Sequence, residues 1–286
     1  MRRCGHTAPS GGGADSRHRR RTSREEMRAV PEVTSYQPGV PSWTDLMTKD
    51  PEGARAFYGE LFGWEFDIGS EETGHYTMCR KNGMNAAGMG GEPAPEGMPT
   101  AWTTYMASDD IDAAAERISA NGGNLLMEPM TVMQYGRMLI ATDPPGAVFG
   151  LWQPLEHIGA SIVNEPGSIT WNELATSDMT AAQDFYNRIL GYTYEPVDSG
   201  EGLPYQIVNV EGRGVGGMIQ MTDAWPEGVP PHWMPYFAVE DADATAATAE
   251  RLGGAVTHAA IDSPYGRLVE LRDPQGGVFT AMHNAD

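Results

Sequence analysis

Cysteine is almost missing from this chain: of 286 residues only Cys4 and Cys79 carry a thiol. No disulfide framework can therefore hold the body together. Long apolar runs are missing too. No stretch approaches the roughly 18 apolar residues of a membrane span, and residues 22 to 42 lack the run of about 7 to 15 apolar residues that an export signal needs. A cytoplasmic location with no membrane partner is the expectation. Positive charge is scarce as well, with 19 Lys and Arg against 39 Asp and Glu. Seven of those cations fall in the first 26 residues beside three acids, which leaves the remainder with 12 basic and 36 acidic residues, a net charge of −24. A body so charged repels nucleic acid and anionic lipid, so neither is an expected partner.

The opening segment differs from everything after it. It is rich in Arg, Gly and Ser and has no apolar pattern that would fold it. Residues 1–36 are accordingly expected to be a disordered basic tail, with an over-extended start and a true one at Met27 as the other reading of the same composition.

What the chain does contain is a repeat. WTDLMTKDPEGARAFYGELFGW from Trp43 returns as WNELATSDMTAAQDFYNRILGY from Trp171, an offset of 128 residues. Trp102, Tyr105 and Asp110 recur as Trp233, Tyr236 and Asp241, and YGRMLIATDPPGAVFGLW from Tyr135 recurs as YGRLVELRDPQGGVFTAM from Tyr265. Two homologous halves, 37–155 and 166–286, are expected, each long enough for a core of its own. Within each half a short strand, an amphipathic helix and several Gly-punctuated strands occur twice, which reads as two βαβββ units. The first helix is set out by Asp50 as cap, Pro51 in the first turn, Ala54, Phe57, Tyr58, Leu61 and Phe62 at spacings of three and four, and Gly63 as stop. Its Phe-Tyr pair, and the pair Phe185 and Tyr186, read as core packing rather than as a cofactor box. DPPG at Asp143 and DPQG at Asp273 are hairpin turns.

A strand, a capped FY helix, LFGW or ILGY, and a closing DPxG hairpin together resemble the vicinal-oxygen-chelate superfamily of glyoxalases, extradiol dioxygenases and bleomycin-resistance proteins. More narrowly, HIGASIVNEPGSITWNEL, YFAVEDADATAA and GRLVELRDPQGGVF are similar to the two-half, glyoxalase-like, actinobacterial 27 kDa antigen type and to proteins that accompany hydroxylation in anthracycline biosynthesis. The resemblance implies an α+β fold of four βαβββ units forming two tandem glyoxalase-like cup domains, with chemistry on the strand residues that face each lumen. Fold alone does not fix the reaction.

Metal-using relatives place a His about seven residues before the capping Asp and a Glu about seven after the Asp of DPxG. In this sequence those positions are Trp43 and Trp171, then Gly150 and Thr280; Thr103 and Met234 open the second units. No set of ligands for Zn, Ni or Fe results, so no metal or other cofactor is expected.

Strand alternation extends the reading. If Trp43 and Trp171 face their lumens, Asp45 and Glu173 do so beside them. Thr103, Tyr105 and Trp152 then line the first cup, and His232, Met234, Tyr236 and Met282 the second. Leu46, Leu174, Phe149, Phe237 and Phe279 face the helices. Asp45 and Glu173 are the candidate catalytic bases, or else structural acceptors bonded by backbone or by Arg137 and Arg267. The two YGR arginines read first as partners of nearby acids. His75, His157, His258 and His283 have no spacing that pairs them and receive no role. The expected partner is a small-molecule ligand, and the chain is a monomer or homodimer. Three functions stay open: a metal-free lyase or isomerase, a binding protein for an aromatic metabolite, and an accessory component of a tailoring oxygenase.

Overall fold

The computed structural model describes residues 32–198, 202–223 and 225–285. The tail as far as residue 31, with the candidate start at Met27, lies outside them. Val33 and Tyr36, placed in that tail by composition, are held by the body: Val33 N donates to Ser161 O at 3.0 Å and Tyr36 Oη to Ala160 O at 2.7 Å.

The first half runs β1 (Pro41–Met47), α1 (Pro51–Phe62), β2 (Glu65–Ile68), β3 (Thr77–Lys81), β4 (Met84–Met89), β5 (Ala101–Ala107), α2 (Ile111–Ala120), β6 (Asn124–Val132), β7 (Gly136–Thr142) and β8 (Val148–Pro154). The second repeats it as β9 (Ile169–Thr176), α3 (Met179–Leu190), β10 (Thr193–Asp198), β11 (Pro204–Val210), β12 (Arg213–Gln220), β13 (His232–Ala238), α4 (Ala242–Arg251), β14 (Ala255–Ser263), β15 (Gly266–Arg272) and β16 (Val278–Asn284). The four α-helices among the described residues begin in one way. Asp50, Asp110, Asp178 and Asp241 each accept a hydrogen bond from the backbone N–H three residues on, which satisfies a donor the helix cannot.

Each half forms one eight-stranded sheet, in the orders β2-β3-β4-β1-β5-β8-β7-β6 and β10-β11-β12-β9-β13-β16-β15-β14. Two four-stranded units thus join edge to edge, β1 to β5 and β9 to β13, both antiparallel. The register sets Trp43 opposite Tyr105 and Asp45 opposite Thr103, then Trp171 opposite Tyr236 and Glu173 opposite Met234. Residues opposite one another share a face, so these line the inner face. Leu46, Leu174, Phe149, Phe237 and Phe279 are completely buried on the outer face.

The core departs from the expectation of one for each half. Helix α3 lies on the first half's sheet, with Phe185 and Tyr186 at 6.0 and 5.5 Å from Phe149. Helix α1 lies on the second half's sheet, with Tyr58 5.5 Å from Phe279 and Phe62 5.0 Å from Phe237. One buried cluster accordingly combines Ile111, Leu139 and Phe149 with Ala182, Tyr186 and Val208. An amphipathic helix pattern states that a face must be covered; it does not say by which sheet.

Polar contacts cross in the same reciprocal way. Trp64 Nε1 donates to Gly167 O at 2.7 Å and Tyr192 Oη to Gly39 O at 2.6 Å. Trp102 Nε1 donates to Tyr58 Oη at 3.2 Å, which donates in turn to Asp273 Oδ2 at 2.8 Å. In the equivalent series of the other half Trp233 donates to Tyr186 at 2.8 Å, and the Tyr186 hydroxyl faces the Asp143 carboxylate, which raises the pKa of the phenol. The motif residues Tyr58, Tyr186, Asp143 and Asp273 therefore join the halves as well as filling them.

Candidate functional site

Each sheet curls around its inner face, and at the floor of both cups stands the same group of four side chains. In the first, Trp43 Nε1 donates to Tyr76 Oη at 2.9 Å, Tyr76 donates to Asp45 Oδ2 at 3.1 Å, and Tyr105 Oη donates to Asp45 at 3.2 Å. In the second, Trp171 Nε1 donates to Tyr205 Oη at 3.1 Å, and Tyr205 and Tyr236 both hydrogen-bond Glu173. Each carboxyl is thus held by two phenols and an indole that orients one of them.

Tyr76 and Tyr205 had no place in the sequence reading. Tyr76 stands immediately before β3 and Tyr205 near the start of β11, in segments with weak apolar patterning. A signal was present all the same: a Cβ on Gly88 or Gly217 would strike the tyrosine hydroxyl, so YTMCRKNGMNAAG and YQIVNVEGRGVGG repeat a tyrosine together with the glycine that admits it.

The environment of Asp45 weakens its acidity. Burial raises its pKa to about 6, against the opposing hydrogen bonds from Tyr76 and Tyr105. The tyrosines move with it: Tyr76 and Tyr105 are pushed up by desolvation and then by the nearby carboxylate, as are Tyr205 and Tyr236 beside Glu173. At neutral pH all four phenols are donors.

Arg137 and Arg267 take no part. Arg137 forms a two-pronged pair with Asp112 at 2.6 and 2.9 Å, and Arg267 grips Asp243 and Asp262. The YGR arginines tie β7 and β15 to the first turns of α2 and α4, and Asp45 and Glu173 owe their hydrogen bonds to tyrosines instead.

The two cups differ above their floors. The second encloses a cavity of about 370 Å³ lined chiefly by apolar surface, with Trp171, Glu173, Tyr205, Tyr236, Leu268 and Met282 among its walls. Met234, on the same face, is buried against Tyr236 and Met282 without lining the cavity, and its sulfur accepts a hydrogen bond from Thr280. His232 is not part of the lining. Its ring leans on Trp225, 6.0 Å between centroids, and its Nδ1 lies 2.8 Å from Pro230 O. In the first cup Trp43, Tyr105 and Trp152 are packed into a cluster closed by Ala160, with Met78 and Met138 against it; Thr103 is partly buried opposite Asp45. His157, given no role by its sequence context, stands in that cluster with its ring 4.6 Å from Trp43 and 5.5 Å from Trp152.

The counted metal positions can be tested against these contacts. Both indole N–H groups are committed to tyrosines, and indole offers a metal no lone pair. A side chain on Gly150 would run into the Tyr105 ring, and the Thr280 hydroxyl is turned to Met234. These residues do not fit the donor set of a divalent cation. Among the described residues no three His, Cys, Asp or Glu come together as ligands, and no helix is long and apolar enough to cross a membrane.

Comparison with known proteins agrees with the double sheet. Residues 41–151 match the model of the Glyoxalase/Bleomycin resistance protein/Dioxygenase superfamily, and residues 170–282 match that of the glyoxalase-like domain. The chain belongs to the glyoxalase/bleomycin resistance/dioxygenase superfamily. It is 42% identical over 261 residues, covering 90% of this chain and 99% of the relative, to the protein named "Putative glyoxylase CFP32" of Mycobacterium tuberculosis. It is 36% identical over 265 residues, 87% of this chain and 95% of the relative, to anthracycline biosynthesis protein DnrV of Streptomyces peucetius. Among solved structures, the Mn(II)-bound glyoxalase of Novosphingobium aromaticivorans shares the fold with a TM-score of 0.59 at 14% identity, over 87% of this chain and 84% of that one. Within this superfamily the present chain keeps the cup and furnishes it with tryptophan, tyrosine and one carboxyl for each half.

Proposed function

We propose that this superfamily member binds a planar, uncharged aromatic metabolite in its second cup, without a metal. The cavity beside Trp171 and Glu173 carries the reading. Its size lies near the lower end of small-molecule pockets, roughly 300 to 1,000 Å³, which suits a ligand of a few fused rings. Trp171 offers an aromatic contact, and Glu173 can accept a hydrogen bond from a ligand hydroxyl. An anionic ligand would meet that carboxylate and a body rich in acidic residues.

The energetics are modest. An aromatic contact adds about 0.5 to 1.5 kcal/mol beyond area burial, and each 100 Å² of apolar surface removed from water adds about 2.5 kcal/mol. Micromolar affinity needs roughly 8 kcal/mol, so the ligand must be largely enclosed. A relative that matches over nearly its whole length is named for anthracycline biosynthesis, and a hydroxyanthraquinone is therefore the probe to use. Titration followed by tryptophan quenching should saturate at one equivalent, survive chelators, and weaken about tenfold in Trp171→Ala. Binding that is unsaturable, or indifferent to Trp171, would overturn the reading.

A proton-transfer role for the same site is favoured by one observation, the meeting of Glu173 with two phenol donors at a cavity wall. With a ligand carbonyl turned toward those phenols, Glu173 would take a proton from the neighbouring carbon. The C–H electrons would pass into the enolate as Glu173, now protonated, releases the phenol O–H groups to turn to the enolate oxygen, and return of the proton to another carbon would complete an isomerisation. Glu173→Gln should then abolish turnover and leave affinity within a few-fold. Asp45, under a filled cup, is a weaker candidate for the same role.

A further inference from the structure

The first cup is filled by its own chain. Beyond β8, residues 155–163 form a strap that turns back across the mouth. Leu155 N and His157 N both donate to Tyr135 O at 3.0 Å. Ala160 N donates to Ser42 O at 2.8 Å, Ser161 N to Asn85 O at 2.8 Å, and Asn85 N to Ser161 Oγ at 2.8 Å. These hydrogen bonds, none of which uses the imidazole, anchor the strap on both sides of the His157 ring.

The imidazole is held differently. It enters edge-on between two indoles, at interplanar angles of 85° to Trp43 and 67° to Trp152, while Trp152 Nε1 donates to the His157 carbonyl at 2.7 Å. Its Nε2 is buried and has no hydrogen-bond partner. A buried nitrogen left without a partner is a net cost, so the ring is kept in place by aromatic contact, as a guest molecule would be. The residues around it have counterparts around the open cavity: Trp43 and Trp171, Tyr105 and Tyr236, and Trp152 and Met282 occupy equivalent strand positions.

We propose that the first cup is a copy of the ligand site occupied by its own strap, with the His157 ring standing where a guest's ring would stand, and that emptying it exposes a second site for small heteroaromatics. The corollary for the second cup is a pose, in which the ligand presents a ring edge to Trp171 on the side of Met282; that corollary alone rests on the function proposed above.

The test uses full-length His157→Ala with imidazole, the very group removed, as probe. Imidazole should raise the melting temperature of the variant by several degrees more than that of the parent and bind to one more equivalent per chain. The indole N–H resonance of Trp152 should shift on binding. An identical response from the two proteins overturns the proposal. His157→Phe tests it independently of how well the alanine variant folds: it should melt within a few degrees of the parent and gain no imidazole site. A phenylalanine variant that unfolds, or that binds the extra equivalent, would show that the slot is not aromatic. Failure of the parent to bind any aromatic probe would remove the second-cup function and leave this difference between parent and variant intact.

Discussion

Replacing Asp45 by Asn should stabilise the protein at neutral pH and leave it unchanged in acid. The folded pKa of Asp45 is raised from 3.8 to about 6 by burial. As pH rises, the unfolded chain gives up the proton first, near 3.8, so stability falls between about pH 4 and 6 and is flat above. The gap of some two units corresponds to about 3 kcal/mol at about 1.4 kcal/mol per unit. Asp45 keeps some solvent contact, which makes that figure an upper limit. Asparagine imitates the protonated carboxyl: Oδ1 can still accept from Tyr105 or Tyr76, and the other hydroxyl can turn to accept from Nδ2. For a chain of this size each kcal/mol moves the melting temperature by about 2 to 4 °C. Melting of parent and variant at a series of pH values from 4 to 8 should therefore give curves that coincide near pH 4 and part by as much as about 10 °C by pH 7.5. A gap independent of pH, or a less stable variant at pH 7.5, would refute the claim that the buried carboxylate is held ionised at a cost.

His157 should show the opposite sign. Burial lowers its pKa to about 4, so the unfolded chain takes up the proton first and stability is lost as pH falls from about 6.5 to 4; urea denaturation of His157→Phe should show that acid limb diminished by up to about 3 kcal/mol. Tyr58→Phe removes the donor to Asp273 Oδ2 across the halves and should cost about 1 to 3 kcal/mol by the same measurement; a loss under half a kcal/mol would mean that water replaces the hydroxyl. Expressed separately, residues 37–155 and 166–286 should each fail to melt cooperatively as monomers, because Phe57, Tyr58 and Phe62 in one and Phe185 and Tyr186 in the other lose the sheet they cover. Calorimetry showing a sharp monomeric transition in either piece would contradict a shared core.

The fold was largely legible because its signals are local. Four capping aspartates, the glycine stops after α1 and α3, and the DPxG turns act within a few residues of themselves, and alternation along β1, β5, β9 and β13 assigns each side chain a face. Alternation placed Trp43, Asp45 and Tyr105 together, and likewise Trp171, Glu173 and Tyr236, but it could not see Tyr76, which lies just before β3 where no strand period applies, or Tyr205, which comes from a strand with little apolar rhythm. It also assigned His232 to the second lumen, where the end of β13 lets the ring swing to Trp225. His157 was beyond its reach for another reason. The residue stands in a connection, where no period fixes direction, and its indole partners are 5 and 114 positions away. The choice of sheet beneath α1 and α3 is likewise a question of tertiary docking that no single-helix pattern answers.

The crossing of the helices bears on why a filled cup is retained. If each half were an independent body, a copy whose lumen is taken up by His157 could decay without harm to the other. Here α1, from the half with the filled cup, supplies Tyr58 and Phe62 to the outer face of the sheet that encloses the open cavity, and Trp64 caps the approach to that sheet through Gly167. The second cup's floor hangs on β9 and β13, whose outer-face residues Leu174, Trp233 and Phe237 are packed beneath it by this shared core. Phe237 adjoins Tyr236 in the chain, so loosening the contact with Phe62 would tilt the phenol that holds Glu173. The first half thus serves the second from below, through its helix, while its own lumen is free to be filled by a strap that adds rigidity.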